Sequence, residues 1–240
     1  RRKALRDVSE VRHAEKVISM DDKPSVVLRR SAGTSMMNAL DCVAKNEAHV
    51  AVSCGNTGAL MALSMLKLRK APGIDRPAIA VLWPSTSAHG YNIVLDVGAD
   101  VRADDHTMAE FAVMGAEYAR LSFDIERPRV GLLNVGSEDN KGRPGIRKSS
   151  QLVAEIAPKV GDLEYVGFVE GADIVGDKVD VIVTDGFTGN IALKTAEGTA
   201  TFISNSLKAA FTKTPLSRIA AFIAYTSLRR LQERIDPRRV

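Results

Sequence analysis

Val179-Asp180-Val181-Ile182-Val183-Thr184-Asp185-Gly186-Phe187-Thr188-Gly189-Asn190-Ile191 carries an apolar run through a Gly-x-Thr-Gly turn and straight into an apolar helical pattern. The first five residues read as a buried parallel strand, because both faces of a central strand in an α/β sheet are covered. The glycines let the chain turn sharply, so that amides at the next helix start face outward, where an anion binds. About 130 residues earlier the same order occurs: Val50-Ala51-Val52 leads through Ser53 to Cys54-Gly55-Asn56-Thr57-Gly58-Ala59-Leu60. A single turn of this kind also serves simply to join a strand to a helix. Its near-repetition favours two anion-binding turns at one crevice, beyond the carboxyl ends of the strands.

Outward from these turns, strand-like runs alternate with helical patterns to about residue 195. Strands are expected near Val11 to Val17, Val50 to Ser53, Ala78 to Trp83, Asn92 to Val97, Val130 to Val135, Tyr165 to Phe168 and Val179 to Thr184. Helices are expected over Ser35 to Asn46 and Thr107 to Arg120, each with apolar residues on one face. This alternation predicts an α/β protein with a mostly parallel sheet and helices on both faces. After Gly198 the strand signal stops. Ala200, Ile203, Leu207, Ala210 and Phe211 form one helical stripe, and Thr214-Pro215 opens another helix that carries Leu216, Ile219, Phe222 and Ile223 and drifts toward Leu228, Leu231 and Ile235. The predicted organisation is a core over 1–197 and an amphipathic hairpin over 198–236. That hairpin suits packing or dimerisation, and its apolar stretch between arginines equally suits shallow contact with an anionic lipid surface through Ile219, Phe222 and Ile223.

The 240 residues are 45% hydrophobic and 26% charged, which excludes disordered and fibrous classes. From Asn205 onward eight basic residues stand against Glu233 and Asp236, a local charge of +6, so the preceding 204 residues carry −2 of the total +4. A basic tail on a near-neutral body points to an acidic partner at the tail and away from a nucleic-acid-binding protein. Cys42 and Cys54 make neither a metal-ligand nor a disulfide pattern, and no signal peptide or long apolar span is visible; a reducing cytosolic setting is expected. Cys54 at a helix start would be an activated thiolate, yet nothing basic is paired with it, and a small buried strand residue is the favoured reading.

Between the two turns, Gly131-Leu132-Leu133-Asn134-Val135-Gly136-Ser137-Glu138-Asp139-Asn140-Lys141-Gly142 is a strand ending in a polar loop. Lys141 there can stabilise a phosphate or an oxyanion, or can be an ordinary solvated lysine. The spacing is not a Walker A motif, because Lys141 precedes Gly142. Dinucleotide, nucleophile-elbow and zinc-protease motifs are also absent. Asp100, Asp104, Asp105 and His106 precede a helix at Thr107, where acidic residues are ordinary capping choices, and a metal cluster is the weaker reading.

Taken together, Ser53 to Met61, Leu95-Asp96-Val97-Gly98-Ala99-Asp100, Gly131 to Gly142 and Asp185 to Asn190 resemble the PlsX family of phosphate:acyl-[acyl-carrier-protein] acyltransferases. Met20 to Pro24, Gly73 to Ala78 and Phe111 to Gly115 fit as well, so the resemblance spans nearly the whole chain. It implies a three-layer α/β/α fold, isocitrate/isopropylmalate dehydrogenase-like and akin to phosphotransacetylases, with an appended C-terminal helical hairpin. The implied reaction converts acyl-ACP and inorganic phosphate to acyl phosphate and free ACP for phospholipid synthesis, with no metal or nucleotide cofactor. The family's catalytic lysine and asparagine fall on Lys141 and Asn190. Phosphate and acyl binding fall on Gly55, Asn56, Thr57, Gly58, Gly186, Phe187, Thr188 and Gly189, with Asp96, Asp139 and Asp185 supporting the cleft. The implied partners are acyl carrier protein, a second copy of the chain, an anionic membrane surface and a downstream glycerol-3-phosphate acyltransferase that uses acyl phosphate. No nucleic acid is implied, and the location is cytoplasmic, peripheral on the inner membrane face.

Cys54 stands where the family commonly has alanine and Asp100 where it has asparagine. An N-terminal strand with an Asp-x-Met-Gly-Gly-Asp turn and a further C-terminal segment are missing, so an incomplete form is expected. Two rival functions remain open: a phosphotransacetylase acting on acyl-CoA, and a noncatalytic adaptor for a lipid surface or carrier protein. A nicotinamide dehydrogenase has only fold analogy.

Overall fold

The computed structural model describes residues 7–235, with side chains through Arg230. The stripe positions Leu231 and Ile235 and the charges from Glu233 to Arg239 lie outside the described side chains. The chain divides into two compact units, Arg1–Pro77 and Ala78–Val240.

The first unit is helical. Helices α1 (Pro24–Arg30), α2 (Ser35–Ala44) and α3 (Thr57–Lys67) bury Val27, Met36, Leu40, Ala59 and Leu63 against one another. Thr34 caps α2 by accepting from the Met37 amide, and Lys67 on α3 pairs with Asp41 on α2 at 2.5 Å. The strands expected at Val11 to Val17 and Val50 to Ser53 do not form. Val50 and Val52 are 71% and 82% exposed, and a single parallel bridge, Lys16 to Thr34, stands where the first strand was expected. Apolar content alone does not make a strand: an extended segment needs a neighbour to accept its backbone hydrogen bonds. Among the described residues this unit supplies only the bridge at Lys16. Cys54 follows suit, exposed where a buried strand position was expected.

The second unit is built on β1 (Ala80–Pro84), β2 (Tyr91–Leu95), β3 (Arg129–Leu133), β4 (Glu164–Val169) and β5 (Val181–Val183), in the order β1-β2-β5-β3-β4. All neighbours are parallel except β1, which runs antiparallel to β2. Side-chain alternation splits the apolar residues between two faces. Ile93, Leu95, Val181, Val183, Val130 and Leu132 meet α4 (Asp105–Phe123) and α5 (Pro144–Ile156) on one face. On the other, Val94, Ile182, Val169 and Val179 meet the 3₁₀ turn Gly171–Val175 and α6 (Gly186–Thr212). The result is a three-layer α/β/α sandwich.

Asp104 caps α4, accepting from the Thr107 amide at 2.8 Å, a bond that holds its carboxyl below the usual carboxylate range. Capping is therefore the role the structure gives this acidic cluster's central member. Helix α6 runs unbroken through Gly198, the residue where the sequence divides into core and hairpin, and is followed by α7 (Pro215–Ile223) and α8 (Tyr225–Ile235). Thr214 caps α7 through the Ser217 amide, with Pro215 in the first turn. Among the described residues no helix is long and apolar enough to cross a membrane.

Candidate active site

Strands β2, β5 and β3 are parallel neighbours, so the loops that follow them leave the same edge of the sheet. Those loops carry Asp96 to Asp100, Asp185 to Asn190 and Asn134 to Arg143. The sequence segments expected to share one edge in this unit do share it.

Asp96 is completely buried and organises the first loop. Its Oδ1 accepts from the amides of Ile79, Gly98 and Ala99 at 3.0, 3.0 and 2.9 Å, and its Oδ2 from Ala99 and Asp100 at 3.0 and 2.6 Å. A carboxylate that accepts this many backbone N–H groups replaces its lost hydration and fixes the loop around itself. The carbonyl of Val97 in that loop then accepts from Asn190 Nδ2 at 3.0 Å. An amide nitrogen has two hydrogens, so Asn190 keeps a second donor beyond this bond.

Asn190 sits in the first turn of α6, whose start packs hard on the Asp96 loop. A Cβ at Gly186 would approach Asp96 Oδ2 to 2.5 Å and the Asp100 carbonyl to 2.9 Å, and one at Gly189 would overlap the Asp96 carbonyl oxygen. Only glycine permits this approach. Asp185 caps the helix: Oδ1 accepts from the Thr188 amide at 2.8 Å and Oδ2 from the Thr188 hydroxyl at 2.9 Å. The Gly186 amide donates to Asp100 O and that of Gly189 to Asp185 O, both at 2.9 Å. Of the turn's amides, Phe187 is the one these bonds leave unused, so the turn's first task is internal.

The third loop brings positive charge. Arg143, exposed on the β3–α5 connection, donates to Asp185 Oδ2 at 2.9 Å and so ties this loop to the α6 turn. Lys141 is exposed nearby; its amide donates to Glu138 O at 3.0 Å, its carbonyl accepts from Asn134 Nδ2 at 3.3 Å, and its stem lies over Gly136. Asp139 is exposed in the same loop. Arg143 was not singled out in the sequence, where it reads as an ordinary loop cation before the Pro144 helix start. Its signal is proximity to Asp185, which only the adjacency of β3 and β5 creates.

In the first unit, Asn56 caps α3, accepting from the Ala59 amide at 2.9 Å, while its Nδ2 donates to the carbonyls of Ser19, Met20 and Asp22 at 3.3, 2.9 and 3.0 Å. Gly55 donates its amide to Ser53 Oγ at 3.1 Å. Thr57 and Gly58 begin α3 and present the helix's positive end. The Asn56 side chain is thus committed to local structure.

The fold is that of the phosphotransacetylases: EutD phosphotransacetylase from Staphylococcus aureus superposes with a TM-score of 0.52 and a phosphotransacetylase from Streptococcus pyogenes with 0.56. Each is 18% identical over 82% of this chain and 70% of the other. Residues 2–240 match the family described as fatty acid synthesis protein. The chain belongs to that family, the PlsX family its motifs resemble. Similar proteins named phosphate acyltransferase occur in Jannaschia sp., Roseobacter denitrificans and Dinoroseobacter shibae, at 57, 58 and 59% identity over all 240 residues. The chain spans about two thirds of their length, 66, 67 and 62% respectively.

Proposed function

We propose that this chain carries the catalytic core of a phosphate acyltransferase that moves a long-chain acyl group from acyl-ACP to inorganic phosphate. The observation that carries this reading is the 57–59% identity, over every residue of the chain, to proteins named phosphate acyltransferase. The edge geometry is compatible with it: a rigidly held asparagine with a spare donor, beside a loop bearing a lysine and an arginine.

In the proposed reaction a phosphate oxygen attacks the thioester carbonyl. The new C–O bond forms, the C–S bond breaks, and the electron pair leaves on the carrier's thiolate, which takes a proton. Phosphate is already nucleophilic at neutral pH, so the work lies in orienting two anions and stabilising the tetrahedral oxyanion. Asn190 serves the oxyanion with its second N–H, and Lys141 serves the phosphate charge or the leaving thiolate. Phe187 at the α6 start supplies an amide to phosphate. Neither a metal nor a nucleotide takes part.

The exposed apolar face of α7 belongs to the same reading as a contact for an anionic lipid surface, which receives the acyl phosphate for the next acyltransferase. A second copy of the chain and the acidic carrier protein are the remaining partners. The test is mass-spectrometric detection of acyl phosphate from phosphate and either acyl-ACP or acyl-CoA at matched concentration. Preference for acyl-ACP is expected. Preference for acyl-CoA would make the protein a phosphotransacetylase, and carrier binding without any acyl phosphate would make it an adaptor.

A further inference from the structure

An apolar hollow of the second unit lies away from the charged edge, between the outer strand β1 and α6. It holds about 510 Å³ and is lined along one side by Ala80 to Pro84 and along the other by Leu193, Ala196 and Ala200, with Val175 at the 3₁₀ turn. Leu193, Ala196 and Ala200 are three and four residues apart, so one helix face supplies that wall. Two of the three are alanines, and small side chains there leave the space open. Glu197 is the one ionisable residue of this lining, and Lys194 holds it at 2.8 Å.

One end of this groove adjoins the proposed reaction site through consecutive hydrogen bonds. The Ile79 amide donates to Asp96 Oδ1, the Val97 amide donates to Ile79 O at 3.0 Å, and Asn190 Nδ2 donates to Val97 O. Ala80, next to Ile79, opens the groove, and Leu193 lies one helical turn beyond Asn190. Because β1 is antiparallel to β2, with Ala80 opposite Leu95 and Pro84 opposite Tyr91, the groove runs from the Asn190 end back along the sheet. A carbonyl at Asn190 therefore has an apolar trough leading away from it, opposite in character to the cationic loop.

We infer that this groove takes the alkyl chain of the fatty acyl donor, seating it along β1 and α6 while its thioester carbonyl meets Asn190. The inference rests on the acyl-transfer reading of the same site and adds where the chain is measured. Its volume falls in the range of small-ligand pockets. The side chains of Val81, Leu82, Trp83 and Pro84 give an unbranched chain an apolar wall along β1, whose free edge still carries backbone N–H and C=O groups.

Trp83, the chain's one tryptophan, lines the groove and gives a readout that needs no turnover. A long-chain acyl-ACP carrying bromine atoms in its acyl chain is titrated into the full chain, with the unbrominated donor as control. Saturable quenching of Trp83 emission by the brominated donor alone is expected, and Ala196→Phe and Ala200→Phe are each expected to remove it. The same variants should lower the ratio of long-chain to short-chain acyl phosphate formed by about tenfold or more, since steric exclusion of chain length discriminates on that order. Acyl phosphate formed from the brominated donor with Trp83 emission unchanged overturns the groove and leaves the transferase reading standing. Quenching with no acyl phosphate from any thioester does the reverse. Unquenched emission together with a change of oligomeric state in the Ala200→Phe protein also overturns it, because the groove is then an interface between chains.

Discussion

Asn190 spends one amide hydrogen on Val97 O, and in the proposed reaction the other serves substrate. Replacing Asn190 with alanine is expected to lower kcat by ~10²–10³, the usual loss for one oxyanion donor. Asn190→Asp should be at least as harmful, since it sets a carboxylate against the Val97 carbonyl. Both are read in an acyl phosphate assay alongside circular dichroism; a folded Asn190→Ala protein with near-normal turnover rejects the role. Gly189 is sensitive for a different reason. A methyl group there overlaps backbone, not a movable side chain, so Gly189→Ala should cost about 2–3 kcal/mol in urea unfolding, at the upper end of overpacking losses. Both residues were legible in the sequence as members of a Gly-x-Thr-Gly-Asn turn. That the turn's amides are mostly spent on Asp185 and Asp100 was not, because the acceptors come from a loop some ninety residues away and from cap geometry.

At the level of elements, the best-placed polar contact outside the site pins β3 to β5. Arg129 donates from Nε and Nη2 to Asp180 at 3.1 and 2.9 Å, and its own amide also donates to that carboxylate at 2.8 Å. Asp180→Ala leaves these donors unpaired beside a nearly buried position and should destabilise by about 2–3 kcal/mol, discounted from a fully buried pair because Arg129 is partly solvated. Tyr165 on β4 offers a pH test. Burial pushes its hydroxyl up to about 12 from the ordinary 10.0, against a smaller opposing effect of its hydrogen bond to Ser150 Oγ at 2.7 Å. The neutral phenol is thus favoured in the folded state, its contribution is full below pH 10 and lost between about pH 10 and 12, and the unfolded chain ionises first. Tyr165→Phe should flatten that stretch of the stability curve measured by denaturant titration; an unaltered alkaline slope would remove Tyr165 as its source. Central strands such as β2 and β5 were readable from their apolar runs. Val50 to Ser53 reads the same way locally yet forms no strand and leaves Val50 and Val52 exposed, because strand formation depends on a partner's backbone that local sequence does not display.

Over the whole molecule, charge and apolar exposure meet in the last helices. Phe222 and Ile223 are 84% and 79% exposed on α7, with Leu216 and Ile219 also uncovered. Flotation with vesicles of increasing anionic-lipid fraction should therefore carry the protein upward, and Phe222→Asp with Ile223→Asp should abolish most of it, since an added charge opposes apolar insertion. Equal flotation of wild type and variants would remove this face from lipid contact.

The sequence by itself determined the α/β class, the strand-turn-helix unit at Asp185 to Asn190, the helix-rich basic end and the family, because these reside in local periodicity, turn chemistry and ordered motifs. Only the tertiary structure decided that β1 runs antiparallel, that Arg143 meets Asp185, that buried Asp96 accepts five hydrogen bonds from four backbone amides, and that an apolar groove begins beside Asn190. Each of those depends on which distant backbone lies next to which, and hydrogen bonding and close packing across a sheet are settled only when the strands have chosen their neighbours.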